Sequence, residues 1–424
     1  MDGAHIEMRL GRLREILDGE SYGLCCGPGD VVHRLTAAKG REVLERVWLS
    51  GQRLGDRQKS LLLLFFFGSE VPKTAIESVL PVSVCSALVE LGLISESGSA
   101  FRTNGCSILP FEGSYLFAPQ LLRSWIGSRL YLGADSLRLV ETMQRSRSAG
   151  QTFEIGAGTG IVGLAGARGA YAASEIDPWC ALVAQTNFVL NGQTGRCQVT
   201  QGSLYDGCPT EGVEFIVSNP PYVPEPLTLR LPTFAGGGED GLVVVRQILE
   251  AAPGGASCVL ALRVYGDGRG TRLEEELRRL SSGRRAEVWY SSRTRLREAD
   301  FTALALGAGV PDSAVSFAEH YRRQGFTHQF DAVVTVRSDS RPGLSIVQAF
   351  DGWDDDSVPV RTGLGLPDED SVARSVLNVI DGRRTVSEIA ATLHFETGRQ
   401  DSAIEAVLAV CRQASLAGFL RLVQ

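Results

Sequence analysis

Residues 216–224 read Ile-Val-Ser-Asn-Pro-Pro-Tyr-Val-Pro. Within this stretch Asn219 brings a side-chain carbonyl and Pro220 a backbone carbonyl, two acceptors that can each take one N–H of a single nitrogen. An amide or aryl-amine nitrogen is a poor nucleophile because its lone pair is delocalised. Holding both of its hydrogens favours the charge that develops as it attacks. Pro221 stiffens the turn, and Tyr222 offers a flat face for a planar group. Upstream lies Glu154-Ile155-Gly156-Ala157-Gly158-Thr159-Gly160. Gly156 and Gly158 let the backbone turn tightly and approach a ligand that a β-carbon would block. Glu154 can hold an ammonium group through charge-assisted hydrogen bonds, and Glu175, in Ser174-Glu175-Ile176-Asp177-Pro178, can bridge two ribose hydroxyls. Each feature alone has a plainer reading. The glycines can be turn formers or a dinucleotide loop, the carboxylates can be surface groups, and Asp177 competes with Glu175 for the ribose.

These residues need a scaffold that brings several loops to one place. Strand-like runs fall at Thr152–Ile155, Ala170–Ser174, Gln198–Thr200, Phe215–Val217, Ser257–Leu262, Ala286–Tyr290 and Asp331–Val336, with helical patterns such as Ile161–Ala167 between them. Such alternation predicts an α/β fold, a mainly parallel sheet with helices on both faces. Ligands of such sheets bind outside the carboxyl ends of the strands. The glycine loop follows the first run and the proline-rich tetrad follows the fourth, so both are expected at one cleft.

Three segments are predicted: 1–120, 121–338 and 339–424. In the first, Pro72-Lys73-Thr74 opens a helix with Thr74 and Glu77 spaced as a capping box. A second helix, from Val82 to Leu91, stops at Gly92, and a return from Phe101 to Ile108 completes a winged-helix outline. The last segment begins with a linker over 338–369. It then repeats the outline, with Asp381-Gly382, a capping pattern at Thr385 and Glu388, a helix from Ala403 to Leu416 and the strand-like Phe419 to Val423. The candidate recognition helices carry few Arg, Lys, Asn or Gln on which base reading depends. Packing, dimerisation or recognition of a peptide or protein is the expectation for both modules.

The chain has 424 residues, 44% of them hydrophobic and 21% charged, with net charge −7. That balance is ordinary for a globular protein and disfavours a polyanionic partner, since nucleic-acid binders usually show a basic surface. A local run of arginines over 263–297 is interleaved with Glu274, Glu275, Glu276 and Glu287, as expected of a solvated helix face. The apolar run Leu61 to Phe67 is too short to span a bilayer, and the N-terminal residues lack a secretory pattern. A cytoplasmic location is the expectation. Nine scattered cysteines and five dispersed histidines form no metal-ligand spacing, so no metal is expected.

The two loops, in this order, resemble those of class I S-adenosylmethionine (SAM) methyltransferases acting on planar nitrogens. From about Tyr131 to Val336 the chain is similar to the HemK-like glutamine N5-methyltransferases, which methylate an amide side chain in translation release factors. The matching pieces are Glu154–Gly160, Ser174–Pro178, Asn187 to Gly192, Gly202 to Tyr205, Ser218–Tyr222 and Gly236 to Leu242. The resemblance implies a Rossmann-like, seven-stranded core; the residues here flank it with winged-helix-like modules on either side, where those enzymes carry a small helical-bundle substrate domain in front. It implies a SAM site at Glu154, Gly156, Ala157, Gly158, Gly160, Glu175, Ile176, Ser203, Leu204 and Asn219, with S-adenosylhomocysteine as product. Asn219, Pro220 and Tyr222 would carry the transfer, and Pro221, Tyr222 and Tyr131 would meet the substrate. Two departures stand out. Ser203 replaces the usual acid after the third strand, leaving adenine to its hydroxyl or to backbone N–H groups. Leu132-Gly133-Ala134-Asp135-Ser136 replaces the family's proline-arginine segment.

The leading expectation is N-methylation of a planar amide or amine nitrogen in a protein, a peptide or a natural-product-like small molecule. Methylation of an exocyclic amine on a nucleic-acid base is the alternative, and a non-catalytic binding protein is a third class. A short similarity of the segment from Asp381 to Leu420 to peptide-recognition modules of modified-peptide biosynthesis keeps a tailoring role in view. Oligomeric state is open, a homodimer included.

Overall fold

The computed structural model describes residues 3–26, 54–120, 129–146, 149–280, 284–307, 311–338 and 343–348. The winged-helix outline expected beyond residue 350 lies outside these. The chain divides into two compact units, Met1–Ala349 and Phe350–Gln424, and all the described elements belong to the first.

The first unit is organised by one sheet. Its strands are β6 (Gln151–Ile155), β7 (Tyr171–Glu175), β8 (Cys197–Gln201), β9 (Val213–Ser218), β10 (Ser257–Gly266), β11 (Arg284–Arg295), β12 (His328–Ser338) and β13 (Gly343–Gln348), in the order β13-β11-β12-β10-β9-β6-β7-β8. Strands β8, β7, β6, β9 and β10 run parallel, and β12 lies antiparallel to both β10 and β11. Each of the seven expected runs lies on a strand. An eighth, β13, falls where a linker was expected and pairs parallel with β11. The stretch Leu344-Ser345-Ile346-Val347 is rich in apolar, partly β-branched residues and meets the backbone groups at the edge of β11, which a further strand satisfies.

From β6 the chain winds to one side through β7 and β8, then returns to β9 on the other. The gap between the carboxyl ends of β6 and β9 is therefore the switch point at which such sheets bind ligands. The interior around it is apolar. Phe153, Ile216, Val217, Leu260 and Ala261 are fully buried. The segment after the glycine loop is a π-helix, Val162–Gly166, rather than an ordinary α-helical turn. It sits close to its neighbours: a β-carbon on Gly163 would lie 2.8 Å from the Tyr171 ring, and one on Gly166 would lie 3.3 Å from the Val140 backbone.

Ahead of the sheet, β1 (Val71–Pro72), β2 (Ile94–Ser97) and β3 (Ala100–Thr103) form an antiparallel sheet in the order β1-β3-β2, with helices Lys73–Glu77 and Val82–Glu90 between its first two strands. The capping box expected at Thr74 is absent. The helix already begins at Lys73, Pro72 holds the cap position, and no side chain bonds to the first turn. The return strand expected to reach Ile108 stops at Thr103, because Gly105 turns the chain with φ +80°. A separate hairpin follows, β4 (Cys106–Phe111) and β5 (Ser114–Pro119).

That hairpin is tied to the helix Pro178–Leu190 by two asparagines that stand in for a neighbouring strand. Asn191 accepts from the Tyr115 N–H (3.0 Å) and donates to the Tyr115 carbonyl (2.7 Å). Asn187, fully buried, accepts from the Phe117 N–H (2.7 Å) and donates to the carbonyls of Phe117 and of Thr159 in the glycine loop, both at 2.9 Å. Replacing Asn187 by Ala strands these backbone groups in the core. We expect a loss of about 2–4 kcal/mol of stability, read from the midpoint of urea unfolding; a shift under about 0.5 kcal/mol would show that solvent reaches them.

Among the described residues no helix is long and apolar enough to cross a membrane. No group of three or more His, Cys, Asp or Glu among them could hold a metal. Several arginines of 263–297 are engaged with carboxylates: Arg263 with Asp331, Arg272 with Glu275, Arg278 with Glu274, and Arg279 with Glu250 and Glu276.

Candidate active site

A cavity of about 610 Å³ opens at the switch point, lined by the loops after β6, β7, β8 and β9. At one end is the glycine loop. Gly156, Gly158 and Gly160 have φ of +79°, +52° and +72°, values that L side chains rarely adopt. A β-carbon on Gly156 would meet nothing within 4 Å, so this backbone faces open space. Gly160 has a different task, since its β-carbon would lie 2.9 Å from the Phe188 ring. Ala157 lines the cavity beside the glycines.

Glu154, at the end of β6, is 3% exposed and accepts a hydrogen bond from the Tyr171 hydroxyl. Burial pushes its carboxyl well above the usual carboxylate range, which the Tyr171 hydrogen bond only partly opposes and nearby Glu175 reinforces. Such a group is suited to a cation placed against it. Glu175, at the end of β7, takes the Gly158 and Asp177 N–H groups on its two oxygens, each at 2.9 Å. Burial raises its carboxyl too, against the pull of those N–H donors. Each oxygen keeps a second lone pair for a hydroxyl.

Asp177, the rival for the ribose, is occupied elsewhere. It caps the helix Pro178–Leu190, accepting from the N–H groups of Trp179 and Cys180, and it takes both arms of Arg129 at 2.7–3.0 Å. Burial would raise its carboxyl, but the Arg129 guanidinium and the helix N–H donors outweigh that and hold it below its ordinary value. Ile176, 54% exposed, offers an apolar face at the cavity mouth. Across from it, Ser203 and Leu204 also line the cavity, and Leu204 takes φ +48° while its carbonyl accepts from the Ser174 hydroxyl. The Ser203 N–H is not available to a ligand as expected, because it donates to Asp206 Oδ2 (2.9 Å). The Ser203 hydroxyl is one remaining donor there.

At the other end stands Asn219. Two acceptors, the Ala261 carbonyl and Asp135 Oδ2, face one end of its amide at 3.0 and 3.2 Å, and the Ser136 hydroxyl faces the other at 3.0 Å. Two acceptors require the nitrogen on their side. The amide oxygen therefore accepts from Ser136 and retains one lone pair. Pro221 lines the cavity and Pro220 is buried behind it.

Tyr222 does not provide the cavity's aromatic wall. Its hydroxyl reaches back to Asp135 Oδ2 (2.6 Å), and its ring packs on the cluster of Val223, Leu231 and Tyr265. Tyr131 and Phe234 line the cavity instead, stacked at 5.6 Å with 16° between their planes. Phe234, Asp135 and Ser136 were not picked out from the sequence. Phe234 had one usable signal, an aromatic residue in a loop between the tetrad and the glycines at 236–238. The carboxylate and hydroxyl had none, since both lie in the segment that departs from the family pattern.

Residues 128–228 match the family model described as the methyltransferase small domain. The chain is 32% identical over 129 residues to a ribosomal protein L11 methyltransferase of Pelotomaculum thermopropionicum, covering 29% of this chain and 40% of that protein. It is 30% identical over 153 residues to a release factor glutamine methyltransferase of Gloeobacter violaceus, covering 32% and 52%. Over 92 residues it is 37% identical to a ribosomal protein uL3 glutamine methyltransferase of Bordetella pertussis, covering 19% and 31%. The chain thus spans about half or less of the length of these relatives. The fold is that of class I methyltransferases, and the match to the methyltransferase small-domain model lies within it at residues 128–228.

Proposed function

We propose that this protein is a SAM-dependent N-methyltransferase whose acceptor is a side-chain amide nitrogen in a protein. One observation carries the reading: a single cavity joins a glycine loop flanked by two buried carboxylates to an asparagine whose amide oxygen is turned for acceptance. The relatives support it, since two of the three are named for glutamine methylation in proteins.

The residues fit the donor. Among the described residues no cation pairs with the Glu154 carboxylate, and the donor's ammonium would supply one. Glu175 would bridge the ribose hydroxyls, with Ile176 and Leu204 against the adenine. When bound, SAM supplies a methyl group already activated on a sulfonium. Asn219 and the Pro220 carbonyl would each hold one N–H of the acceptor amide, and the stacked pair Tyr131 and Phe234 would offer its plane one flat face. As the new N–C bond forms and the S–C bond breaks, the surplus proton on nitrogen leaves to solvent. Most of the acceleration is alignment, worth up to roughly 7–11 kcal/mol in favourable cases.

The deciding experiment is transfer from methyl-labelled SAM to a bacterial lysate, with protease and nuclease arms. Label that disappears with protease and is recovered as N5-methylglutamine after digestion supports the reading. Label lost with nuclease would replace it with base methylation, and label in the small-molecule fraction would replace it with tailoring. A cytoplasmic location accords with a substrate among translation proteins.

Donor binding should also depend on pH. Glu154 is raised above the ordinary carboxylate range before the donor enters, and the ammonium requires its ionised form. Affinity for S-adenosylhomocysteine is therefore full above that raised value and falls as pH drops through it, with a slope of up to about one decade per pH unit. Calorimetry in buffers of different ionisation enthalpy should register proton release on binding, and Glu154→Gln should abolish it. Affinity that stays flat with pH would remove Glu154 from the ammonium role.

A further inference from the structure

We infer that Asp135 is the positioning residue of the acceptor pocket, a buried carboxylate that sets the Asn219 amide and fixes two tyrosines around it. The inference rests on the proposed amide-methylating reading and names a part of that site which the family resemblance does not supply.

Asp135 opens the helix Ala134–Ser146 and is 6% exposed. An acid in a first helical turn commonly faces solvent and interacts with the helix dipole. This one points inward. Its oxygens collect the Tyr131 hydroxyl (3.0 Å), the Tyr222 hydroxyl (2.6 Å), the Ser136 N–H (2.9 Å) and the Asn219 amide nitrogen (3.2 Å). All four are neutral donors. A buried carboxylate costs free energy that neutral donors offset only when every one of them is well placed. The arrangement therefore behaves as a unit, in which loss of the carboxylate frees three pocket groups at once.

Asn219 and Tyr131 line the acceptor's cavity, and Tyr222 acts from behind it. Asp135 is one of the two acceptors that hold the Asn219 nitrogen, and so keep the amide oxygen on the side of the hydroxyl of Ser136, a residue that lines the cavity. The Tyr131 hydroxyl fixes the ring that stacks on Phe234. The Tyr222 hydroxyl anchors the tetrad from behind. A local feature of the sequence makes room for this: a β-carbon on Gly133 would lie 2.1 Å from the Tyr131 hydroxyl and 2.7 Å from Asp135 Oδ1. The glycine is thus needed for the Tyr131–Asp135 contact itself, and the atom it would displace is the end of a side chain that can swing away.

The test measures the rate of methyl transfer at saturating labelled SAM to the protease-sensitive fraction of a bacterial lysate, alongside calorimetric binding of S-adenosylhomocysteine. Asp135→Asn should slow transfer by about tenfold to a hundredfold, as expected for an acceptor misplaced by a fraction of an ångström. Binding of S-adenosylhomocysteine should stay within about threefold. Gly133→Ala, which leaves the carboxylate in place, should slow transfer in the same direction. Tyr131→Phe and Tyr222→Phe should each cost less, and neither should add its full effect to Asp135→Asn. A merely structural role predicts something different: a lower melting temperature for Asp135→Asn with transfer per bound donor unchanged, and additive tyrosine variants. That result, or a normal rate in Gly133→Ala, overturns the inference. If the wild-type protein labels no protein, the functional reading fails first. If it does, and Asn219→Ala is inactive while Asp135→Asn and Gly133→Ala are normal, only this inference fails.

Discussion

Replacing Asn219 by alanine is expected to cut methyl transfer by about 10²–10³-fold, the loss seen when one preorganised hydrogen-bonding group is removed from a reacting centre. Affinity for S-adenosylhomocysteine should change by less than about threefold, because Glu154, Glu175 and the glycine loop remain. The physical ground is the asymmetry of the amide's surroundings. The nitrogen is consumed by the Ala261 carbonyl and Asp135, and the oxygen keeps a lone pair beside the Ser136 hydroxyl. Asn219→Asp is a sharper probe. A carboxylate there would face the Asp135 carboxylate and the Ala261 carbonyl where the nitrogen now sits, so two like charges would be set close together in a half-buried site. We expect the aspartate variant to be as inactive as the alanine one and also less stable. Single-turnover transfer and thermal unfolding, measured on the same preparations, check both halves. Wild-type turnover in either variant would remove Asn219 from the chemistry.

What the sequence made legible follows from how locally each feature is determined. The glycine loop and the proline-rich tetrad are turn chemistry at strand ends, and both fell at the carboxyl edge of the sheet as the alternation of runs required. Glu175 is preferred to Asp177 by its place before Pro178, and in the structure Asp177 is engaged by the helix cap and Arg129, which supports that preference without testing it. Contacts across the fold were beyond reach. Asp135 comes from a helix start, Tyr222 from the loop after β9 and Phe234 from a later loop, and no spacing rule relates them. The sequence pattern gave Tyr222 the stacking role because it completes the tetrad. Only the third dimension shows its hydroxyl drawn back to Asp135 while Tyr131 takes the cavity face. The hairpin β4–β5 was missed for a similar reason. Beyond the pairing of its own two strands, what meets β5 is not another strand but the side chains of Asn187 and Asn191, in the last turn and at the cap of a helix.

Glu175→Ala should weaken S-adenosylhomocysteine binding by about 10²-fold, while the transfer rate at saturating donor, where it can be reached, falls far less. Two hydroxyl hydrogen bonds to a carboxylate contribute roughly 1.5–3 kcal/mol each, and the change also removes the acceptor for the Gly158 and Asp177 N–H groups. Gly158 lies in the loop that faces the cavity, so its release loosens the donor's cradle as well. Asp177→Asn is the control. Asparagine still caps a helix, so that variant should keep donor affinity within about threefold even though it loses the charge facing Arg129. Isothermal titration of both variants separates the two acids. A large loss in Asp177→Asn with near-normal binding in Glu175→Ala would move the ribose contact from the end of β7 to the helix cap. It would also leave the buried Glu175 carboxylate with only backbone partners to account for its position.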